Sequence, residues 1–123
     1  MTTHNEVFFD SAHLPQSLEL DDWEILEDFY ATFLRQLQNF LPLIDGATSQ
    51  LSIEEQRHHA HKLGSSCRTV GAPALASLFE TLEDLCRKDN TDEQRAELLA
   101  TLAAVGEQTR NQIALHVTHA DRP

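Results

Sequence analysis

Residues 52–85 read SIEEQRHHAHKLGSSCRTVGAPALASLFETLEDL, and this stretch decides the fold because it contains the signals for two helices and the turn between them. Ser52 and Glu55 stand three residues apart, the spacing of a capping box, which predicts a helix start. Gly71 predicts the end of that helix, and Pro73 suits the first turn of the next one. Apolar side chains recur every three or four positions on both sides of the glycine. The pattern predicts two amphipathic helices joined by a tight turn.

Two further amphipathic helices flank this pair. The first is predicted over residues 21–44, where Asp21 and Glu24 resemble a capping box and Pro42 is expected to kink or end the last turn. The second follows Thr91, a possible cap, and runs towards the C-terminus. No segment has a sustained period of two, so the predicted fold class is all-α, an antiparallel four-helix bundle. The apolar positions of these two helices are Trp23, Leu26, Tyr30, Phe33, Leu37, Phe40 and Ile44, then Leu98, Leu99, Leu102, Val105, Thr109 and Ile113.

A chain of 123 residues with 41% apolar content can supply one hydrophobic core, so a single domain is expected. Residues 1–20 are predicted to form an N-terminal arm or short helix that packs on one end of the bundle. The bundle itself is assigned to residues 21–118, and residues 119–123 to a C-terminal tail. The apolar side chains of the arm are Val7, Phe8, Phe9, Leu14 and Leu18.

The balance of charge excludes several classes of partner. With 20 acidic and 9 basic side chains, the formal net charge is −11, which repels nucleic acid and anionic lipid over most of the surface. The N-terminus, MTTHNEVFFD, lacks the basic start and apolar run of a signal peptide, and no later stretch is apolar enough for a membrane span. We therefore expect a cytoplasmic protein without nucleic-acid or membrane partners. Cys67 and Cys86 form no CxxC pair and are interpreted as free thiols.

One part of this acidic chain carries no acidic residue. Residues 56–79 contain no Asp or Glu, although the average composition would place about four in a window of that length. Three of the nine basic residues, Arg57, Lys62 and Arg68, lie within it. The stretch is therefore suited to receiving negative charge. Chance clustering on a solvated face is the alternative interpretation.

Helical geometry places His61 on the outer face of the second predicted helix. Gln56, Ala60, Leu63, Cys67 and Val70 form the inward stripe, and at 100° per residue His61 falls nearly opposite to it. The small residues Gly64 and Ser65 beside the His61 ring would let a bulky reacting group approach it. Close packing of another helix against Gly64 is the alternative explanation for the glycine. A neutral imidazole can attack phosphorus. The neighbours predicted on the outer face are Arg57 and Gly64 on one flank, His58 and Ser65 on the other, and Arg68 two turns further along. His116, near the C-terminus, is expected at the surface.

The segment AHKLGSSCRTVGAPALASLFETLE, residues 60–83, resembles the signature of the histidine phosphotransfer (HPt) domain family of two-component phosphorelays. His61 matches the phosphorylated histidine of that signature, Leu63 its core leucine and Ser65 a small position. Gly71 followed by alanine matches its Gly-Ala pair. Leu75, Leu82 and Glu83 match the helix that follows.

The resemblance implies a phosphoryl carrier rather than an enzyme with its own ATP-dependent kinase activity. Such a carrier accepts a phosphoryl group from the aspartate of a receiver domain on His61 and passes it to another receiver, in a hybrid sensor kinase or a response regulator. The receiver brings the magnesium ion, so no cofactor of this chain is expected, and a monomer is expected. The predicted partner contacts are Arg57, His58, Lys62, Gly64, Ser65 and Arg68. Gly64 departs from the family pattern, which usually has lysine there.

Two other functions fit the same residues. The chain could dock receivers as an adaptor or phosphate sink with weakened transfer chemistry, because Gly64 replaces the usual lysine. It could also bind a divalent metal through His58 and His61, which lie one turn apart on one face. Two histidines alone do not complete such a metal site, so none is assigned.

Overall fold

The computed structural model describes residues 7–44, 51–88 and 92–119, and the fold is built from helices throughout these ranges. A short helix, α1, spans His13–Leu18 and precedes α2, Trp23–Phe40. A 3₁₀ turn follows at Leu41–Ile44. The remaining helices are α3, Ile53–Val70, α4, Pro73–Arg87, and α5, Asp92–His119.

The long helices form the predicted four-helix bundle. Helix α3 packs against α4, α4 against α5, and α2 against both α3 and α5, so each long helix has two neighbours. Helices α2, α3 and α4 are amphipathic, and α5 buries Leu99, Leu102, Thr109 and Ile113. Burial of these apolar sides stabilises the bundle. The core includes Tyr30, Phe33, Leu37, Phe40, Leu63, Cys67, Leu75, Phe79, Leu82, Leu102 and Ile113.

The helix ends follow from local sequence signals, except that the cap of α2 lies one residue later than predicted. The capping box of α3 is formed as predicted, because the Ser52 hydroxyl accepts from the Glu55 amide at 3.1 Å and the Glu55 carboxylate accepts from the Ser52 amide at 2.9 Å. Helix α2 is capped by Asp22, which accepts from the Glu24 amide, and not by Asp21 as predicted. Pro42 lies in the 3₁₀ turn after α2, where it ends the helix. Thr91 and residues 120–123, most of the predicted tail, lie outside the described residues.

The segment before α2 packs on the end of the bundle at the turn between α3 and α4. The Asp10 amide donates to the Gly71 carbonyl at 2.7 Å, and the Ala74 amide donates to the Val7 carbonyl at 3.2 Å. Leu14 is fully buried. Val7 and Leu18, although apolar, are exposed.

An aromatic cluster joins the arm to α2 and α5. The ring of His116 lies 5.5 Å from that of Phe9, 5.7 Å from that of Trp23 and 5.6 Å from that of Tyr30. The expectation that His116 is a simple surface residue was therefore wrong. Its helical position faces α2, and burial lowers the pKa of its imidazole.

Stability should decrease as the pH falls below the ordinary pKa of histidine, about 6.5. Burial lowers the pKa of both His59 and His116 in the folded protein, so the unfolded chain binds more protons in this range and protonation favours unfolding. We expect the urea midpoint to be lower at pH 5.5 than at pH 7.5. A His116→Gln variant should show a smaller difference. Equal midpoints for the wild-type protein at both pH values would contradict the prediction.

No helix within the described residues is both long enough and apolar enough to cross a membrane.

Candidate functional site

His61 projects from α3 into solvent. Its side chain is 72% exposed, whereas the residues on the opposite side of the helix are buried in the core. This is the orientation that the helical periodicity predicts. The buried side consists of Gln56, Ala60, Leu63, Cys67 and Val70.

A glutamate of the next helix holds one nitrogen of the His61 ring. The Nδ1 atom lies 3.2 Å from Oε2 of Glu83, whose side chain is only 14% exposed. An ionised carboxylate can only accept, so this bond assigns the proton of a neutral His61 ring to Nδ1. The lone pair is then on Nε2, in the exposed ring. The contact fixes both the tautomer and the orientation of the imidazole.

Three arginines lie around this pair, each in contact with a glutamate. Arg57 is 3.0 Å from Glu54 on the same helix. Arg68 pairs with Glu80, across the contact between α3 and α4. Arg87 donates to Oε2 of Glu83 at 2.8 Å, the same oxygen that His61 contacts. The face is therefore rich in guanidinium groups whose charges are balanced while His61 carries no phosphate.

The other predicted contact residues divide between the surface and the core. His58, Lys62 and Ser65 are exposed on the face of His61. His59, beside His58 in the sequence, packs on Phe40 instead, with 5.5 Å between ring centroids.

Gly64 is buried, so it does not offer the partner contact that the sequence analysis assigned to it. An added Cβ at this position would lie 3.4 Å from Cβ of Phe79 on α4. The position is turned towards α4 rather than towards solvent, at a point where the two helices pack closely. Close packing, the alternative interpretation of this residue, is the one that the geometry supports.

Replacing Gly64 by alanine should stabilise the protein slightly. Glycine within a helix costs about 0.5–1 kcal/mol relative to alanine. The added methyl would meet Phe79 at an ordinary van der Waals distance, 3.4 Å. We expect the free energy of unfolding, measured by urea denaturation, to rise by up to about 1 kcal/mol. A decrease would show that α4 cannot accommodate the methyl group.

A groove between α2 and α3 adjoins the histidine face. It has a volume of about 430 Å³, and its α3 side includes Ser65, one turn from His61. On its α2 side lies Phe29, which is 38% exposed, and Ile25, one turn earlier, is 42% exposed. Large apolar side chains exposed on neighbouring turns are typical of a protein contact surface. The sequence analysis did not identify this groove.

Two charged residues of the site were also missed or only partly identified. Glu83 was matched to a family signature without a role, and Arg87 was not considered. Their spacing of four residues on α4 was visible in the sequence and predicts a pair on one helix face. Their contact with His61 depends on how α4 is rotated against α3, which no local pattern specifies.

Neither cysteine has the environment of a reactive thiol. Cys67 is fully buried, and burial raises the pKa of its thiol far above the usual range. Burial also raises the pKa of Cys86, which is half-buried. Within the described parts of the chain, no three His, Cys, Asp or Glu side chains are grouped in a way that could hold a metal ion.

The family comparison covers most of the chain. The model of the Hpt domain matches residues 24–116, which include all of α2 after Trp23, all of α3 and α4, and most of α5. A search of curated proteins and a search of solved structures gave no match. Because the family match extends over well more than half of the sequence, the chain belongs to the Hpt domain family and has a phosphotransfer role in two-component signalling.

Proposed function

We propose that His61 is the phosphoryl carrier, accepting a phosphoryl group from the aspartate of one receiver domain and passing it to another. The observation that carries the proposal is the contact between Nδ1 of the exposed His61 and the nearly buried Glu83. It leaves Nε2 as the nucleophilic nitrogen in a ring of fixed orientation. A correctly oriented nucleophile is the main requirement of phosphoryl transfer, which needs little covalent assistance from the protein.

In the proposed step, the lone pair of Nε2 attacks the phosphorus of the aspartyl phosphate. A bond forms between nitrogen and phosphorus as the bond between phosphorus and the aspartate oxygen breaks, and the aspartate leaves as a carboxylate. The imidazole becomes positively charged and keeps its Nδ1 proton, which it donates to Glu83. The carboxylate stabilises the charge that develops on the ring. Transfer to the second receiver is the reverse of this step.

The surface around His61 suits a receiver as its partner. In our proposal the receiver brings the aspartate and a magnesium ion in an acidic pocket, and this chain has no cofactor of its own. The basic side chains of residues 56–79, a stretch without acidic residues, suit such a pocket in charge, and the groove beside Phe29 would accept apolar side chains of the partner. The residues that we place in this contact are Arg57, His58, Lys62, Ser65 and Arg68. We place the exchange in the cytoplasm, with the chain acting as a carrier and not as a kinase.

The test is phosphotransfer from receiver domains of the source organism. Each receiver, phosphorylated and supplied with magnesium, is mixed with the full chain, and the label on the chain is located by mass spectrometry. We expect an acid-labile, base-stable phosphate on His61 with at least one receiver. Receiver binding without transfer in either direction would favour an adaptor or phosphate sink instead. A label on another residue would overturn the assignment of His61.

A further inference from the structure

We propose that Glu80 and Glu54 select among receiver domains by competing with them for the arginines on the face of His61. The inference rests on the proposed function, in which a receiver brings acidic groups to this face. In the unbound chain, each of these glutamates is paired with an arginine that we place in the receiver contact. The pairs are Glu80 with Arg68 and Glu54 with Arg57. A receiver must therefore replace a carboxylate of this chain before it gains the arginine.

Both ion pairs lie within the area that a partner of His61 covers. A stable protein contact buries about 800 Å² on each side, which is a patch with a radius of roughly 16 Å. Arg57 and Arg68 lie about 6 Å and 10 Å from His61 along α3, and within about 40° of it around the helix. On α4, Glu80 stands one turn before Glu83, whose carboxylate contacts the His61 ring. A receiver that reaches the ring therefore meets both pairs.

The exposure of the two glutamates allows the pairs to open. The Glu80 side chain is 56% exposed and that of Glu54 is 79% exposed. Ion pairs between exposed side chains contribute little to stability, so a well-placed receiver carboxylate can replace either glutamate, which then turns into solvent. Where a receiver offers no such carboxylate, the glutamate stays in place and its negative charge faces the acidic pocket of the partner. The two glutamates thus disfavour chiefly the receivers that cannot bind the arginines.

Glu80 is the cleaner of the two positions to change. Glu54 lies in the first turn of α3, where a negative side chain also stabilises the helix. Glu80 lies in the middle of α4, away from both helix ends. Glu83, the next acidic residue of α4, does not belong to this pair of competitors, because its side chain is only 14% exposed and holds the His61 ring. Glutamine at position 80 removes the charge and keeps the size of the side chain.

The test compares phosphotransfer rates to the wild-type chain and to Glu80→Gln from each phosphorylated receiver of the source organism, below saturation. We expect the receivers that are slow with the wild type to gain about threefold to fivefold, and the fastest receiver to change by less than about twofold. The gain should shrink when the ionic strength is raised from about 0.05 M to 0.5 M, because salt screens exposed charges. A purely structural effect on α4 would not depend on salt in this way.

Glu107→Gln is the matched control. Glu107 is 54% exposed and also pairs with an arginine, Arg110 at 2.8 Å, but it lies on α5, which packs on α2 and α4. This variant should keep the wild-type rates, whereas Glu54→Gln should favour the slow receivers as Glu80→Gln does. Wild-type rates in both glutamate variants, the same gain for every receiver, or an equal gain in Glu107→Gln would overturn the inference. Failure of the wild-type chain to accept phosphate on His61 from any receiver would instead count against the proposed function.

Discussion

The His61→Gln variant is expected to accept no phosphoryl group from any phosphorylated receiver. Glutamine has no imidazole lone pair, so no bond between nitrogen and phosphorus can form, whereas the geometry of α3 is retained. The side chain that changes is 72% exposed and touches none of the core, so the fold should not depend on it. Phosphate incorporation at saturating receiver is the measurement, with circular dichroism to show unchanged helicity.

His58→Gln supplies the comparison for that experiment. His58 is exposed on the same face, and its described contact is with the ring of His59 at 5.9 Å, not with a carboxylate. Although His58 lies in the proposed receiver contact, saturating receiver compensates for weaker docking, so we expect this variant to reach the full amount of phosphate. Undiminished labelling of His61→Gln, or its loss in His58→Gln alone, would show that the wrong histidine was assigned.

The helices were predictable because their signals are local. The capping box at Ser52 and the glycine at Gly71 each act on backbone groups within a turn, and both lie where the sequence indicates. The start of α2 shows the limit of this kind of evidence. Asp21 and Asp22 are adjacent candidates for the cap, and the structure uses the second. Either aspartate could accept from a free amide, so the pattern alone does not distinguish them.

The candidate site was predictable only as far as one helix determines it. The exposure of His61 follows from the periodicity of α3 alone. The contacts of Glu83 and Gly64 could not be predicted from periodicity, because they depend on which face of α4 packs against α3. That rotation brings the Glu83 carboxylate onto the imidazole and the Phe79 side chain against Gly64. Contacts between helices of this kind depend on the packing of the whole core.

The close approach of α4 also bears on the chemistry of a chain without lysine at Gly64. Glu83 is both a ring-orienting group and the partner of Arg87, so a single carboxylate links the nucleophile to a cation. Gly64 brings no charge to the site from α3, whereas Arg87 brings a positive charge on α4. The site thus depends on the packing of two helices, and variants that shift α4 should impair transfer even when they leave α3 unchanged.

Gly71→Ala is expected to destabilise the protein by about 2–4 kcal/mol. A left-handed backbone conformation costs a non-glycine residue about 1–2 kcal/mol, and the loss of a hydrogen bond adds to this cost. Gly71 ends α3 with a φ of +90°. An added Cβ would lie 2.6 Å from the Asp10 carbonyl oxygen and 2.8 Å from Cβ of His13. The arm would have to move away, which would break the 2.7 Å bond from the Asp10 amide to the Gly71 carbonyl. Urea denaturation measures the loss.

Gly64→Ala is the matched control, because the chemical change is identical and both glycines belong to the contact between α3 and α4. Its added methyl meets Phe79 at 3.4 Å in an ordinary helical backbone, so its effect should have the opposite sign. The contrast separates the intrinsic preference of a helix for alanine from the requirement for glycine at the turn. If Gly71→Ala unfolded at the wild-type urea concentration, the arm could not be held against the turn as tightly as the contacts of Asp10 and His13 indicate. Loss of stability in both variants would instead show that α4 lies too close to α3 to accept any added atom.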